Sequence, residues 1–271
     1  MSERDAALVK GGGDLGTGVA LCLHRQGYRV VVTELAQPLV VRRPVAMASA
    51  VYEGRVTIEG IVARRVGDYG GVLAAWEEGH VPVIIDPTAR IAQEVKPLVL
   101  VDAIMAKRNT GTVITDAPIV VALGPGFRAS VDCHAVIETQ RGPNLGRVYL
   151  TGATAPDSGV PGRVGGESAR RVMRAPVEGT FTGLARIGDH VQAGDVIASV
   201  NGRPVVGQLT GVVRGLLADG VNVEAGIKVG DIDPRDDPSL CFRVSDKAWR
   251  VGESVLNAIQ ALKRGQAEPS G

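Results

Sequence analysis

Apolar runs and helical patterns alternate along the first half of the chain. Short stretches rich in valine and isoleucine predict strands, whereas apolar residues three and four positions apart predict helices. The predicted strands are 7–10, 29–33, 55–58, 82–85, 98–101 and 119–123, which 136–139 and 147–150 extend. The predicted helices are 15–25, 44–52 and 69–78, and 62–66 is ambiguous. The alternation is typical of an α/β domain in which helices cover a parallel sheet.

The first strand turns into the first helix through glycines spaced as Gly11-x-Gly13-x-x-Gly16. Such a turn lets ligand phosphates approach bare backbone N–H groups at the positive end of a helix. The next strand leads to Glu34, eighteen residues beyond Gly16, near the position at which an acidic residue holds a ribose. Residues 1–150 are therefore predicted to form a Rossmann-like domain that binds a nucleotide or a related cofactor. The alternative is a tight turn that binds nothing.

Two charged residues beside the glycines modify this prediction. Asp14 stands at the helix start, where its carboxylate would cap the helix and repel a pyrophosphate. Lys10, at the end of the strand, would offset that charge or pair with Asp14 in the empty site. The expected ligand is an anion, but not an ordinary dinucleotide.

Other candidate ligand contacts follow the later strands. Parallel strands would bring Gly11, Glu34, Asp86 and Asp102 to one edge of the sheet, where ligands of open α/β sheets bind. These carboxylates would hold ribose hydroxyls or a phosphate-bound magnesium ion, or else only cap the segments that follow. Three polar loops add cations and glycine turns. The predicted cofactor-binding residues are Lys10, Gly11, Gly13, Asp14, Gly16, Thr17, Glu34, Asp86, Asp102, Lys107, Gly124, Gly126, Arg141 and Arg147.

The second half of the chain contains a duplicated unit. Residues 151–170 hold five glycines and two prolines without hydrophobic periodicity, which indicates a linker or an extended crossing segment. Residues 179–200 then align with 211–232 at an offset of 32, with seven identical positions, including Gly179 with Gly211 and Gly188 with Gly220. Such a repeat predicts short strands that close a small all-β sandwich over 171–233.

The pattern of turns in 171–233 resembles the biotinyl/lipoyl carrier fold. Ala175-Pro176, Gly188-Asp189 and Gly194-Asp195 match turns of that family. The resemblance implies a barrel-sandwich module whose central hairpin would present a lysine for the cofactor. That hairpin, residues 200–204, has none, and no lysine occurs between Lys107 and Lys228. No covalent biotin or lipoate is expected, and the module is interpreted as structural or docking.

Residues 234–271 are predicted to form a C-terminal helix and tail. Ser245 offers an N-cap, and an apolar face follows at helical spacing: Ala248, Val251, Val255, Ile259 and Leu262. This face is expected to pack on the first domain or on another subunit, because the polar face is not basic enough for a membrane. The tail from Gly265 is expected to be disordered.

Composition excludes several function classes. Thirty Lys plus Arg against twenty-nine Asp plus Glu leave no basic surface for nucleic acid, and 3% aromatic residues leave few platforms on which bases could stack. The longest apolar runs are too short to cross a membrane, and the charged N-terminus leaves no room for a signal peptide, so a cytoplasmic location is expected. The three scattered cysteines are expected to be reduced. Histidines at zinc-site spacing are lacking, so no metal site is predicted.

The ordered motifs together resemble the family called selenium-dependent molybdenum hydroxylase system protein. They are Gly11 to Gly18, Thr33-Glu34, Val41 to Pro44, Val51 to Gly54, Val101 to Lys107, Leu123 to Phe127, Glu138-Thr139, Arg141-Gly142, Leu145 to Arg147, and Gly230 to Arg235. The chain departs from the pattern at Pro143, where a histidine would be expected. The N-terminal half is also similar in plan to xanthine dehydrogenase accessory factors, which handle a pterin-type molybdenum cofactor.

The resemblance implies an accessory protein that binds a nucleotide or molybdopterin-type cofactor for its maturation or delivery. Its partners would be a molybdenum hydroxylase or that enzyme's maturation proteins. Association into a homo-oligomer is a further possibility. One alternative is an NAD-dependent oxidoreductase, although no residue is an evident proton donor to a nicotinamide. Another is a non-catalytic structural adaptor. Catalytic residues and the existence of a reaction are not predicted.

Overall fold

A computed structural model describes residues 5–267. The N-terminal half forms one large sheet, whose strands are β1 (Ala6–Lys10), β2 (Arg29–Glu34), β3 (Arg55–Ile58), β4 (Ile61–Val66), β5 (Val81–Ile85), β6 (Val99–Asp102), β7 (Ile119–Leu123), β8 (Ala135–Ile137) and β9 (Val148–Tyr149). In the described part of the chain these nine strands pair in the order β3-β4-β5-β2-β1-β6-β7-β8-β9. All neighbours from β4 to β8 run parallel, and β3 and β9 are antiparallel edge strands. The predicted α/β class with a parallel-rich sheet is confirmed.

Alternating strand residues feed two separate cores on the two faces of the sheet. Val9 and Val32 belong to one core, and Leu8 and Val31 to the other. The helices are α1 (Asp14–Arg25), α2 (Ala50–Glu53), α3 (Tyr69–Glu77), α4 (Ala92–Val95) and α5 (Asp246–Ala267). The first core packs against α1 and α5, and the second against α3. The first helix therefore starts at the carboxyl end of β1, where the glycine turn lies.

The prediction of a helix over 44–52 is wrong for the first half of that segment. Two 3-10 turns, Arg43–Val45 and Met47–Ser49, precede the short α2. Ala46 between them is extended, with φ −123° and ψ 118°, which interrupts helical hydrogen bonding. The N–H of Ala48 instead donates a hydrogen bond to the carbonyl oxygen of Gly12, at 2.9 Å, outside its own segment. The ambiguous segment 62–66 lies in β4.

The C-terminal helix caps and packs as its pattern predicts. The Oγ of Ser245 accepts the N–H of Ala248 at 3.1 Å, and the apolar face joins the core that contains α1. Gly18 and Gly252 let the two helices touch, because a Cβ at Gly252 would lie 2.6 Å from the carbonyl oxygen of Gly18. The prediction of disorder from Gly265 onward is wrong for residues 265–267, because α5 extends to Ala267. Residues 268–271 lie outside the described residues, as do residues 1–4, on which the signal-peptide expectation depends.

The duplicated unit forms two four-stranded antiparallel sheets that share one hydrophobic core. Its strands are β10 (Val172–Arg174), β11 (Gly179–Gly183), β12 (His190–Val191), β13 (Val196–Val200), β14 (Arg203–Val206), β15 (Gly211–Leu216), β16 (Asn222–Val223) and β17 (Lys228–Asp233). One sheet has the order β10-β17-β15-β12 and the other β14-β13-β11-β16. At the 32-residue offset, β10, β11, β12 and β13 correspond to β14, β15, β16 and β17. Each sheet therefore contains two strands from each repeat, and the strand order of one sheet matches that of the other. We call residues 171–233 the β-module.

None of the helices in residues 5–267 is long and apolar enough to cross a membrane.

Candidate functional site

The glycine turn presents helix N–H groups without a side-chain cap. Gly13 is the N-cap of α1, and no side chain accepts a hydrogen bond there. Gly11 has φ +90°, a conformation that favours glycine. A Cβ at Gly13 would meet only Val40 Cγ1, at 3.8 Å. The backbone at Gly13 is therefore open toward the space outside the sheet edge, as an anion site requires.

Two residues of the predicted fingerprint pack inside the protein. A Cβ at Gly16 would collide with the carbonyl oxygen of Gly11, so this glycine permits a close approach of the helix to the turn. Thr17 is fully buried. Its Oγ1 donates to the carbonyl oxygen of Gly12 at 3.0 Å and accepts the N–H of Met47 at 2.9 Å. The structure thus gives Gly16 and Thr17 a supporting position instead of the predicted ligand contact.

The sequence predicts that Asp14 caps the helix and could pair with Lys10, but in the structure it does neither. Its Oδ1 accepts Nη1 of Arg42 at 2.9 Å, and its Oδ2 lies 3.4 Å from the Oγ of Ser245. Arg42 also donates to the carbonyl oxygens of Leu240 and Arg243. Asp14 is the first residue of α1, one position after the N-cap Gly13. It therefore links α1 to the segment that precedes α5.

Glu34 lies at the expected place but contacts the turn itself. Its Oε1 accepts the N–H of Gly12 at 2.6 Å, and its Oε2 accepts the N–H of Leu35 at 2.9 Å. Burial raises the pKa of this carboxyl, and the two N–H bonds oppose the rise. A ribose hydroxyl would have to share this carboxylate with the backbone.

The raised pKa of Glu34 predicts a pH effect on stability. The folded protein holds this proton to a higher pH than the unfolded chain, so the contribution of Glu34 falls as pH rises above its ordinary value of 4.5. Glu34→Gln should flatten that fall, whatever it does to absolute stability. Urea unfolding at a series of pH values from 4 to 7 would measure it, and an unchanged slope would contradict the prediction.

Lys10 belongs to a buried network that includes Asp102. Its Nζ donates to Oγ1 of Thr112 at 2.6 Å and lies 3.7 Å from Oδ2 of Asp102, while Thr112 donates to the same Oδ2 at 2.6 Å. Oδ1 of Asp102 accepts the N–H of Ile104 at 3.1 Å. The network ties the loop after β6 to the end of β1. Asp102 thus has the local structural role that was the alternative to ligand contact.

Asp86 also holds its own segment, since its Oδ2 accepts the N–H of Ile91 at 2.8 Å. Unlike Asp102, it faces the open space beyond the sheet edge. It combines a structural bond with a position from which it can contact a ligand.

A cleft of about 1050 Å³ lies between the sheet edge and the β-module. Eight of the fourteen predicted site residues line it: Lys10, Gly11, Gly13, Asp14, Glu34, Asp86, Lys107 and Arg141. The other six lie outside its lining: Gly16, Thr17, Asp102, Gly124, Gly126 and Arg147. The predicted location of the site at the sheet edge therefore agrees with the position of the cleft. Some of the predicted residues line the cleft, and the others pack behind or beside it.

Three of these six are explained by local packing. A Cβ at Gly124 would lie 2.6 Å from Oγ1 of Thr139, and one at Gly126 would lie 2.5 Å from the backbone of Arg108. These glycines allow the loops to stack closely. Arg147 is exposed, and its guanidinium lies 5.3 Å from the ring centroid of Tyr149. These positions shape the loops beside the cleft.

The segment predicted as a linker covers one side of the cleft. Residues 155–164 all line it, and we call them the strap. The N–H of Ala155 donates to Oε2 of Glu138 at 2.9 Å, and the carbonyl oxygen of Gly162 accepts both Nε and Nη2 of Arg171. An ion pair between Lys107 and Asp157, 2.7 Å apart, holds its middle. The strap is therefore part of the site as well as a connection.

Sequence reasoning missed the cations that the distal segments contribute: Arg163, Arg171, Arg174, Arg214, Lys228 and Lys247. Arg214 is the most unusual, because only 7% of it is exposed and its Nε has no hydrogen-bond partner. The Nε lies 3.5 Å from Oδ2 of Asp233. A charged residue inside the otherwise apolar strand β15 is the sequence signal that would have identified it.

Among residues 5–267, no group of three or more His, Cys, Asp or Glu side chains is arranged to hold a metal ion. The three cysteines are free thiols. Burial raises the pKa of Cys133 to about 12, followed in effect by the charge of Asp132, so that thiol is a poor metal ligand at neutral pH.

Comparison with known proteins gives a relative of undescribed activity. The chain is 45% identical over 261 residues to the uncharacterized protein YqeB of Escherichia coli (strain K12). The match covers 96% of this chain but 48% of the relative, so the chain spans about half the length of that protein. No protein-family model matches the chain.

Solved structures resemble the chain only weakly. An aspartoacylase family protein from Mesorhizobium loti has a TM-score of 0.27 at 12% identity, over 84% of this chain and 85% of that one. A succinylglutamate desuccinylase/aspartoacylase from Rhodobacter sphaeroides has a TM-score of 0.26 at 13% identity, over 84% and 85% of the two chains. These values are too low to support a common fold or activity.

Proposed function

We propose that this protein binds a phosphorylated small molecule, a nucleotide or a molybdopterin-type cofactor, in the cleft beside the glycine turn. One observation carries the proposal: ten basic and six acidic side chains line the cleft, in a chain whose net charge is +1. The same cleft contains the start of α1, which has no side-chain cap and whose backbone N–H groups also favour anions. Charge and backbone geometry therefore select the same class of ligand.

An apolar wall supports a ligand that also has a ring. Leu35 and Leu39 line the cleft next to the end of β2 and are 50% and 45% exposed. Ile104 and Met105 line it from the loop after β6. A pterin or purine ring would cover these side chains while its phosphate reached the glycine turn.

We propose an accessory role for molybdenum-dependent hydroxylases, with the hydroxylase or its maturation proteins as partners. The support is the ordered set of motifs in the sequence. One of them, Gly230 to Arg235, supplies acids that hold cleft cations in place: Asp231 pairs with Arg171, and Asp233 lies beside Arg214. The motif therefore has a physical function in a site for an anion.

The β-module is proposed to be of the biotinyl/lipoyl barrel-sandwich type, without an attachment lysine and without covalent biotin or lipoate. Its two sheets exchange strands through the 32-residue repeat, as expected for a duplicated sandwich. The β13–β14 hairpin turns at Asn201 and Gly202, with φ 47° and 74°, and continues into Arg203. The module supplies cations to the cleft, which supports a binding role over a purely structural adaptor.

No observation favours the oxidoreductase alternative. The cleft lining, as far as residues 5–267 define it, includes neither His nor Tyr, the usual proton donors to a carbonyl substrate. The proposal is accordingly one of binding, with no reaction assigned.

Gly13→Asp is expected to weaken binding of phosphorylated ligands by about 100-fold or more, because opposed like charges cost several kcal/mol. An aspartate suits the N-cap, and the Cβ has room there, so the variant should fold. Mass spectrometry of molecules released from gently purified protein would first identify the ligand, and calorimetry would compare the variants.

The matched control is Gly13→Asn, which has nearly the same shape without the charge and is expected to keep most of the affinity. Unchanged binding by Gly13→Asp of every nucleotide and molybdopterin species tested would remove the glycine turn from the site.

A further inference from the structure

We propose that the β-module completes the anion site, with Arg214 and Lys228 binding a second negatively charged group of the same ligand. The ligand class is then a small molecule with at least two negative charges, such as a diphosphate. This inference rests on the proposed function, because it places the first anionic group at the glycine turn. It assigns the β-module a direct part in binding.

Arg214 is placed for such a contact. It lies on β15, lines the cleft and is 93% buried as a residue, since 7% of it is exposed. Asp233, its nearest acid, is also bound by Arg235, whose Nη2 contacts the same Oδ2 at 2.6 Å. Nε of Arg214 is buried without a hydrogen-bond partner, and Arg214 shares its ion-pair partner Asp233 with Arg235. A buried guanidinium in that state favours an anion.

Lys228 and Lys247 bring further charge to the same place. Burial lowers the pKa of Arg214, Lys228 and Lys247, and the charge of Asp14 opposes this in all three. All three cations line the cleft, Arg214 and Lys228 from the β-module and Lys247 from α5. Lys228 lies 3.4 Å from Asp231, an acid that Arg171 already binds. Lys247 lines the same cleft from the first turn of α5.

The acids at this place do not balance the cations. Asp231 and Asp233 act on Arg214 more strongly than Asp14 does, but Arg171 and Arg235 already bind these two acids. Arg42 likewise already pairs with Asp14 at 2.9 Å. A phosphate at the helix start would still leave positive charge on the opposite wall. The arrangement therefore fits two linked anionic groups better than one, because each would face its own cations across the cleft.

The probe is inorganic pyrophosphate, with inorganic phosphate as the single-anion comparison, titrated into the full chain by calorimetry. We expect pyrophosphate to bind more tightly than phosphate. Arg214→Gln should weaken pyrophosphate binding about tenfold or more, as expected for loss of a charge-assisted contact, and should affect phosphate less. Lys228→Gln is the second variant, because its side chain is more exposed and its loss is easier to tolerate.

Arg203→Gln is the matched control, an exposed arginine of the same module outside the cleft lining. It should bind as the unchanged protein does. A direct readout is the ¹⁵N signal of the Arg214 Nε–H group, assigned by its absence in the variant, which should shift when pyrophosphate is added.

The outcomes separate the inference from the proposed function. If Arg214→Gln and Lys228→Gln both bind pyrophosphate normally while Gly13→Asp does not, the inference fails and the glycine-turn site stands. If Gly13→Asp binds normally while Arg214→Gln does not, the glycine turn is not part of the site, and the β-module binds an anion without completing a site there. Absence of pyrophosphate binding by the unchanged protein would overturn both.

Discussion

Gly16→Ala is expected to destabilise the protein by about 3 kcal/mol, the upper end of the usual cost of overpacking. Alanine is favoured over glycine inside a helix by about 1 kcal/mol, so propensity alone predicts the opposite sign. The steric effect dominates, because the new methyl group would collide with the carbonyl oxygen of Gly11 and lie 3.3 Å from Cβ of Ala103. A backbone carbonyl cannot rotate away as a side chain can.

Gly13→Ser provides the control three residues earlier in the same turn. Its Cβ has room, with Val40 Cγ1 as its nearest contact at 3.8 Å, and serine is a preferred N-cap. Its stability should stay within about 0.5 kcal/mol of the unchanged protein. Urea unfolding with a common slope would measure both variants. Equal stability of Gly16→Ala and Gly13→Ser would show that Gly16 has no packing role.

This contrast between two glycines shows how far the sequence could be read. The spacing correctly predicts the strand, turn and helix, because apolar periodicity and glycine conformations are local properties. It does not tell which glycine faces a ligand and which packs under it. That depends on Ala48 and Ala103, which lie near the turn through contacts with later segments. The prediction accordingly grouped Gly13 with Gly16.

Charged residues show the same limit more strongly. Asp86 and Glu34 could be predicted at the sheet edge, since parallel strands end there. Arg214 and Lys228 could not, because they reach the cleft by the placement of one unit against the other. The contacts that fix this placement join residues far apart in sequence, such as Arg43 Nε with the carbonyl oxygen of Leu216 at 2.9 Å. Local patterns carry no information about such docking.

Asp102→Asn is expected to lower stability by about 3 kcal/mol, because breaking a buried ion pair leaves a buried charge uncompensated. Asp102 is 1% exposed and the side chain of Lys10 is 8% exposed. Asparagine keeps the size and an oxygen that can accept the N–H of Ile104, but its amide nitrogen cannot accept the O–H of Thr112, so the change removes the charge and that hydrogen bond. Urea unfolding would measure the loss. Asp116→Asn, an exposed acid in the same loop, should cost less than about 1 kcal/mol.

The same variant should respond more strongly to an anionic ligand. Lys10 lines the cleft, and without Asp102 its ammonium lacks a counterion, so a bound phosphate would restore one. Pyrophosphate should therefore raise the melting temperature of Asp102→Asn more than that of the unchanged protein, because ligand binding to the folded state adds directly to stability. Adding Lys10→Met should remove this excess, since the unpaired charge is then gone. A response of Asp102→Asn no larger than that of the unchanged protein would mean that Lys10 does not reach the ligand, and the phosphate contacts would come from the glycine turn and the other cations of the cleft.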